Sequence, residues 1–167
     1  KFDGTNWPTY DPDEEHFFCS SSNDLGNVWF GCEGGIYMYN GSSWTKHRSQ
    51  FPIYIRDIYS IAIDENNNIW AGEDDGLLKY DGSSWKEYTK LDGLVGNSIL
   101  AIAIDHSGNK WIGTTNGLSK YDDMTWTNYT ISNGLADNFI KSIAVDDNNS
   151  IWGGTNGGLS KFDGSNW

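Results

Sequence analysis

Residues able to do chemistry are few in this chain, and they are scattered. The histidines are His16, His47 and His106, and the thiols are Cys19 and Cys32. The three imidazoles stand at unequal places along the chain. Their spacing assembles neither a Ser–His–Asp set nor a cluster of metal ligands. No G-x-S-x-G, H-E-x-x-H or phosphate-binding glycine loop is present. The stretches DENNN from Asp64 and DDNNS from Asp146 have the carboxylates and amides of a calcium loop. They lack its central glycine and closing glutamate, and so read as turns held by an Asp side chain. The expectation is no catalytic residue, no metal and no cofactor.

What remains is polar recognition. Fourteen positions before Trp29, Trp70, Trp111 and Trp152 stand Glu15, Arg56, Asn97 and Asn138. Tyr54 lies in the same loop as Arg56, RSQFPIYIRD at 48–57. A second set of loops carries Glu33, Asp74, Asp75, Asn116 and Asn156. Acids, amides and one arginine on neighbouring loops can bind a carbohydrate, a peptide or a protein through hydrogen bonds and charge. The candidate ligand-binding residues are Glu15, Tyr54, Arg56, Asp74, Asn97, Asn116, Asn138 and Asn156.

These loops need a framework, and the tryptophans reveal it. The 167-residue chain has nine, at 7, 29, 44, 70, 85, 111, 126, 152 and 167. Trp29, Trp70, Trp111 and Trp152 recur at one constant interval; the others keep the same period after one shorter first step. Such a period, about 41 residues, marks an array of structural repeats. In the third copy, Ile99–Asp105 reads as a buried strand, followed by a hairpin signal at Ser107-Gly108. Lys110–Thr114 and Leu118–Tyr121 are the second and third strands, separated by the signal Asn116-Gly117. A fourth strand opens at Trp126. Four short antiparallel strands in each repeat make one blade of a β-propeller. The expected fold is all-β, with four blades over 1–167 ending at Trp44, Trp85, Trp126 and Trp167. No segment shows a helical period.

Repetition also sorts the side chains. A residue required in every copy serves packing, so both tryptophan sets are assigned to the core rather than to a sugar platform. Gly31, Gly72, Gly113 and Gly154 follow the inner tryptophans by two. They are expected to make room for a ring of the neighbouring blade. The net charge of −12 excludes nucleic acid, because no counterion release would drive binding. No apolar run is long enough to span a bilayer, so no membrane insertion is expected. An aromatic content of 15% excludes a disordered coil.

The pattern GL-x-x-N … IAID-x-x-GN-x-W-I-G-T-x-x-GL-x-K-Y-D, clearest at Gly93–Asp122 and Gly134–Asp163, resembles the two-component regulator propeller repeat. The resemblance covers nearly the whole chain. It implies a sensor or recognition module in the periplasm or at the cell surface, of the kind found in bacterial hybrid two-component proteins and secreted Bacteroidetes proteins. The first copy departs from the pattern, with FFCSSS at 17–22 in place of an aliphatic strand. The D-x-x-GN-x-W strand pair is also similar to virginiamycin B lyases. That resemblance implies metal-assisted elimination and would need a His/Glu cluster, which only His16 beside Glu14 and Glu15 approaches. A third reading is a structural scaffold that associates through blade edges.

Two further expectations follow. KFDGTNW at the start and KFDGSNW at the end are the same part of a blade, so the chain is expected to be a piece of a longer propeller. Trp7 and Trp167 would then compete for one position in a closed four-bladed ring, or a homodimer could complete a larger one. Folding the first hairpin about a two-residue turn sets Cys19 opposite Cys32. That allows either a somewhat strained disulfide or two reduced core cysteines.

Overall fold

The computed structural model describes Thr5, residues 16–47 and residues 57–167. Four blades succeed one another. Blade 1 consists of β1 (Phe17–Ser22), β2 (Val28–Cys32), β3 (Gly35–Tyr39) and β4 (Trp44–His47). Blade 2 has β5 (Ser60–Ile63), β6 (Ile69–Gly72), β7 (Leu77–Tyr80) and β8 (Trp85–Tyr88). Blade 3 has β9 (Ile99–Ile104), β10 (Lys110–Thr114), β11 (Gly117–Tyr121) and β12 (Trp126–Tyr129). Blade 4 has β13 (Ile140–Val145), β14 (Ile151–Thr155) and β15 (Gly158–Phe162). Strands pair in chain order and antiparallel within each blade, and the inner strands pack β1 on β5, β5 on β9 and β9 on β13. Helix is confined to one 3-10 turn at Ile131–Asn133 among the described residues.

The core lies between blades. Trp29, Ile36, Ile58, Ile69 and Leu78 join blades 1 and 2. Trp70, Leu77, Ile99 and Ile112 join blades 2 and 3, and Trp111, Leu118, Ile140 and Ile151 join blades 3 and 4. The inner tryptophans of blades 1 to 3 are buried, and those of blades 2 and 3 stack on Tyr88 and Tyr129 of their own blades. Trp167 closes on Trp111, Tyr129 and Phe162, as Trp126 closes on Tyr88 and Tyr121. It therefore holds its own repeat position; Trp7 lies outside the described residues. The glycine column does admit the next blade, but the guest is aliphatic rather than a ring. A Cβ on Gly31, Gly72 or Gly113 would meet Ile58, Ile99 or Ile140. Blade 4 leaves this face open: Leu159 is 73% exposed, whereas Leu118 and Leu77 in the same column are at 0%.

Each inner hairpin turns over three residues, one more than Ser107-Gly108 suggests. Gly108 N–H donates to Asp105 O, and Asp105 N–H to Asn109 O. The third loop residue is left-handed in the described blades: Gly26, Asn67, Gly108 and Asn149. Glycine and asparagine tolerate this conformation best.

The tryptophans also carry a polar cage. Trp70, Trp111 and Trp152 donate Nε1–H to Asp64, Asp105 and Asp146 at 2.9–3.0 Å. Lys79, Lys120 and Lys161 lie over the same three rings at 4.8–5.6 Å. In blade 1 both charges vanish together: Asn23 replaces the acid and Met38 the lysine. Trp29 Nε1 is then buried without an acceptor, beside His47 at 4.8 Å. Losing one charge alone would leave its partner uncompensated.

Cys19 and Cys32 are thiols, not joined in a disulfide. Cys19 pairs with Gly31, and Cys32 with Phe17, because a bulge at Phe18 shifts the register by one. Successive strand residues face opposite sides of a sheet, so the two sulfurs do not meet. Each donates to a carbonyl instead, Cys19 to Ile58 O and Cys32 to Gly35 O, both at 3.3 Å. Burial pushes the Cys19 thiol up to about 11.

Candidate functional site

The inner strands begin, and the turns from second to third strand lie, at one end of the blades. His16 and Glu33 meet there at 3.0 Å, and Ser98 Oγ–H of blade 3 donates to Asp74 Oδ1 of blade 2 at 2.9 Å. Asp74, Asn116 and Asn156 all occupy these turns and are exposed. Asn116 sits against Gly96 in the loop that leads into blade 3, and Gly157 sits against Ala136 in the loop into blade 4. The structure thus brings Asp74, Asn97, Asn116, Asn138 and Asn156 to one end. Glu15, Tyr54 and Arg56 lie outside the described residues.

Two of these residues have a structural duty. Asn97 Oδ1 accepts Lys90 N–H, and Asn138 Oδ1 accepts Ile131 N–H, both at 2.8 Å. The two loops are copies, pinned by buried Leu94 and Leu135 and by Ser119 and Ser160, whose Oγ atoms accept Val95 and Ala136 N–H. The asparagine oxygens are spent on holding the loops.

The bulges supply a set of side chains that sequence reasoning missed. In blades 1, 3 and 4 the register slips at Phe18, Leu100 and Lys141. Tyr59 is the equivalent residue of blade 2. Bulges re-aim a side chain out of the regular ladder. In blades 2 to 4 the residues just before them, Ile58, Ile99 and Ile140, are uniform and buried, while Tyr, Leu and Lys vary beside them; blade 1 has Phe17 before Phe18. That contrast was the available signal. Phe18 is 48% exposed and meets the Tyr59 ring at 5.6 Å. The Tyr59 hydroxyl lies 3.4 Å from both Asp57 Oδ2 and Asp74 Oδ2. Burial and the charges of Asp74 and Asp57 push its phenol up.

At the opposite end, a cavity of about 170 Å³ lies between the inner hairpins of blades 1 and 2, with Asn23, Asp24, Asp64 and Glu65 on its wall. The Asp64 carboxylate is already committed to Asn66, Asn68 and Trp70. Among the described residues, no group of three or more His, Cys, Asp or Glu is placed to hold a metal ion.

The family described as Two component regulator propeller matches residues 134–157, which run from the loop into blade 4 to its second turn. This segment is similar to a two-component regulator propeller repeat. The same strand order and the same packing columns recur in the other three blades of the propeller. No curated protein sequence matches the chain. Among solved structures, the extracellular domain of a hybrid two-component system from B. thetaiotaomicron is similar at 21% identity and a TM-score of 0.80, over 93% of this chain and 23% of that one. The extracellular domain of a one-component system from the same organism follows at 24% identity and 0.70, over 87% and 21%. A virginiamycin B lyase from Staphylococcus aureus shares 17% identity at 0.74, over 92% and 57%. These likenesses establish a propeller fold, and the chain spans 23% and 21% of the length of the two extracellular domains.

Proposed function

We propose that this chain is part of a non-catalytic recognition or sensor propeller working outside the cytoplasm, in the periplasm or at the cell surface. Its ligand, a glycan, peptide or protein, binds at the end where the lead-in loops and second turns meet. One observation carries the reading: exposed Glu33, Asp74, Asn116 and Asn156 stand in the second turns at that end, on a framework whose repeated tryptophans are packing residues. The repeat family and the likeness to extracellular sensor domains support it. No helix among the described residues is long and apolar enough to cross a membrane. The test is binding to a panel of oligosaccharides and peptides, followed by Arg56→Ala with Asn97→Ala and, separately, Asn116→Ala with Asn156→Ala. Unchanged affinity in both double variants rejects this end as the site.

The open face of blade 4, with Leu159 exposed, supports a homodimer that extends the ring. Light scattering checks this, and a monomer at tens of micromolar rejects it.

A further inference from the structure

Phe18, Tyr59, Asp57 and Asp74 form an aromatic and anionic corner between blades 1 and 2. Phe18 presents an open ring, and the face of an aromatic ring attracts cations. The Tyr59 hydroxyl touches two carboxylates but has one proton, so it can satisfy only one of them at a time. Asp57 and Asp74 are both 3.4 Å from the same oxygen, which keeps the two carboxylates close to each other. Ser98 adds a neutral donor to Asp74 and no charge. Among the described residues neither carboxylate is paired with a basic side chain. Like charges so close repel unless a counter-charge joins them.

We propose that this corner binds an alkylammonium group, with the cation over the Phe18 and Tyr59 rings and between Asp57 and Asp74. The proposal rests on the recognition reading above and names the chemistry of its ligand. The net charge of −12 steers such a cation toward the protein, and an anionic glycan is repelled by the same field. A neutral sugar could share hydroxyls with these groups but would leave the second carboxylate uncompensated.

Calorimetric titration tests the proposal with three probes: a glucosamine tetramer, its fully N-acetylated counterpart, and tri-lysine. At least one amine probe is expected to bind, roughly tenfold or more tighter than the acetylated tetramer. Which amine binds distinguishes an amino sugar from a basic peptide. Asp74→Asn weakens binding about tenfold and Phe18→Ala about fivefold, while Asp24→Asn at the opposite end leaves it unchanged. Circular dichroism confirms that each variant is folded. Equal binding of the acetylated tetramer, indifference to Asp74→Asn, or no binding by either amine overturns the proposal. Binding of the acetylated tetramer that is lost in the Asn116/Asn156 double variant but not in Asp74→Asn defeats the cation site and leaves the recognition reading standing.

Discussion

Ile99 stands where a side chain on Gly72 would have to go: its Cγ2 is 2.4 Å from the point a Cβ would occupy. Gly31 with Ile58 and Gly113 with Ile140 repeat the relationship at 2.6 and 2.7 Å. Blades 1 to 3 each carry a notch for an isoleucine that leads into the next blade.

Filling an occupied notch should therefore be harmful, and filling empty space should not. Gly113→Ala is expected to cost about 1–3 kcal/mol, because Ile140 is held on a strand and cannot retreat. Gly153 has nothing within 4 Å of its would-be Cβ, so Gly153→Ala should be close to neutral. Thermal unfolding of the two variants side by side checks the contrast. Equal melting temperatures would contradict it.

The polar cage gives a second test. Asp105→Ala removes the acceptor of Trp111 Nε1 and the anchor of its turn, and should cost about 2 kcal/mol. Blade 1 lacks this cage and offers the reverse experiment. Asn23→Asp together with Met38→Lys should stabilise the protein by about 1 kcal/mol, more than the two single changes combined. Denaturant unfolding of the four-member cycle measures the coupling.

Stability should fall with acid in two stages. Burial beside Trp29 and Tyr80 lowers the His47 pKa from 6.5, so the unfolded chain takes up a proton first. Stability is whole above pH 6.5 and declines below it. The caged aspartates come next. For Asp64 and Asp105, burial alone would raise the pKa, but bonds from the tryptophan and asparagine neighbours outweigh it and hold the carboxyls below 3.8. The bond from Trp152 takes Asp146 down to about 2. Their contribution is present above about pH 4 and lost as the pH falls from there toward about 2. Melting temperature against pH shows both stages. His47→Tyr, which installs the residue found in blades 2 and 3, should abolish the first and leave the second.

The cysteines should behave as thiols that do not pair with each other. Two thiols per chain are expected to react in denaturant, and in the folded protein Cys19, whose thiol burial raises to about 11, should react slowly. Mild oxidants should give no intramolecular bond, which mass spectrometry after alkylation detects.

Much of the fold was legible in the tryptophan spacing. The third blade was expected at 99–105, 110–114 and 118–121 with a fourth strand from Trp126, and it stands at Ile99–Ile104, Lys110–Thr114, Gly117–Tyr121 and Trp126–Tyr129. The bulges were not legible. A bulge present in several copies leaves the repeat period untouched, so counting along the hairpin set Cys19 opposite Cys32 when Gly31 is its partner. The same omission hid the candidate corner. Nothing in the spacing set Phe18 and Tyr59 apart, because in an unbulged strand their direction would have been that of a regular ladder residue. The left-handed residue of the inner hairpin was hidden differently, since asparagine in two blades and glycine in the other two do the same conformational work.

The notches make each of blades 1 to 3 depend on the blade that follows it, and Leu159 of blade 4 has no such cover among the described residues. Leu118 is sealed only because Ile140 belongs to the following blade, so a blade on its own exposes much of the surface that would hold it together. Stability resides in the seams between blades, and a blade sharing one seam is less secure than a blade sharing two. Amide exchange should accordingly spread inward from blade 4, with β14 and β15 opening before β10 and β11 although their sequences nearly coincide. Position in the stack, more than local composition, decides how long each strand stays closed.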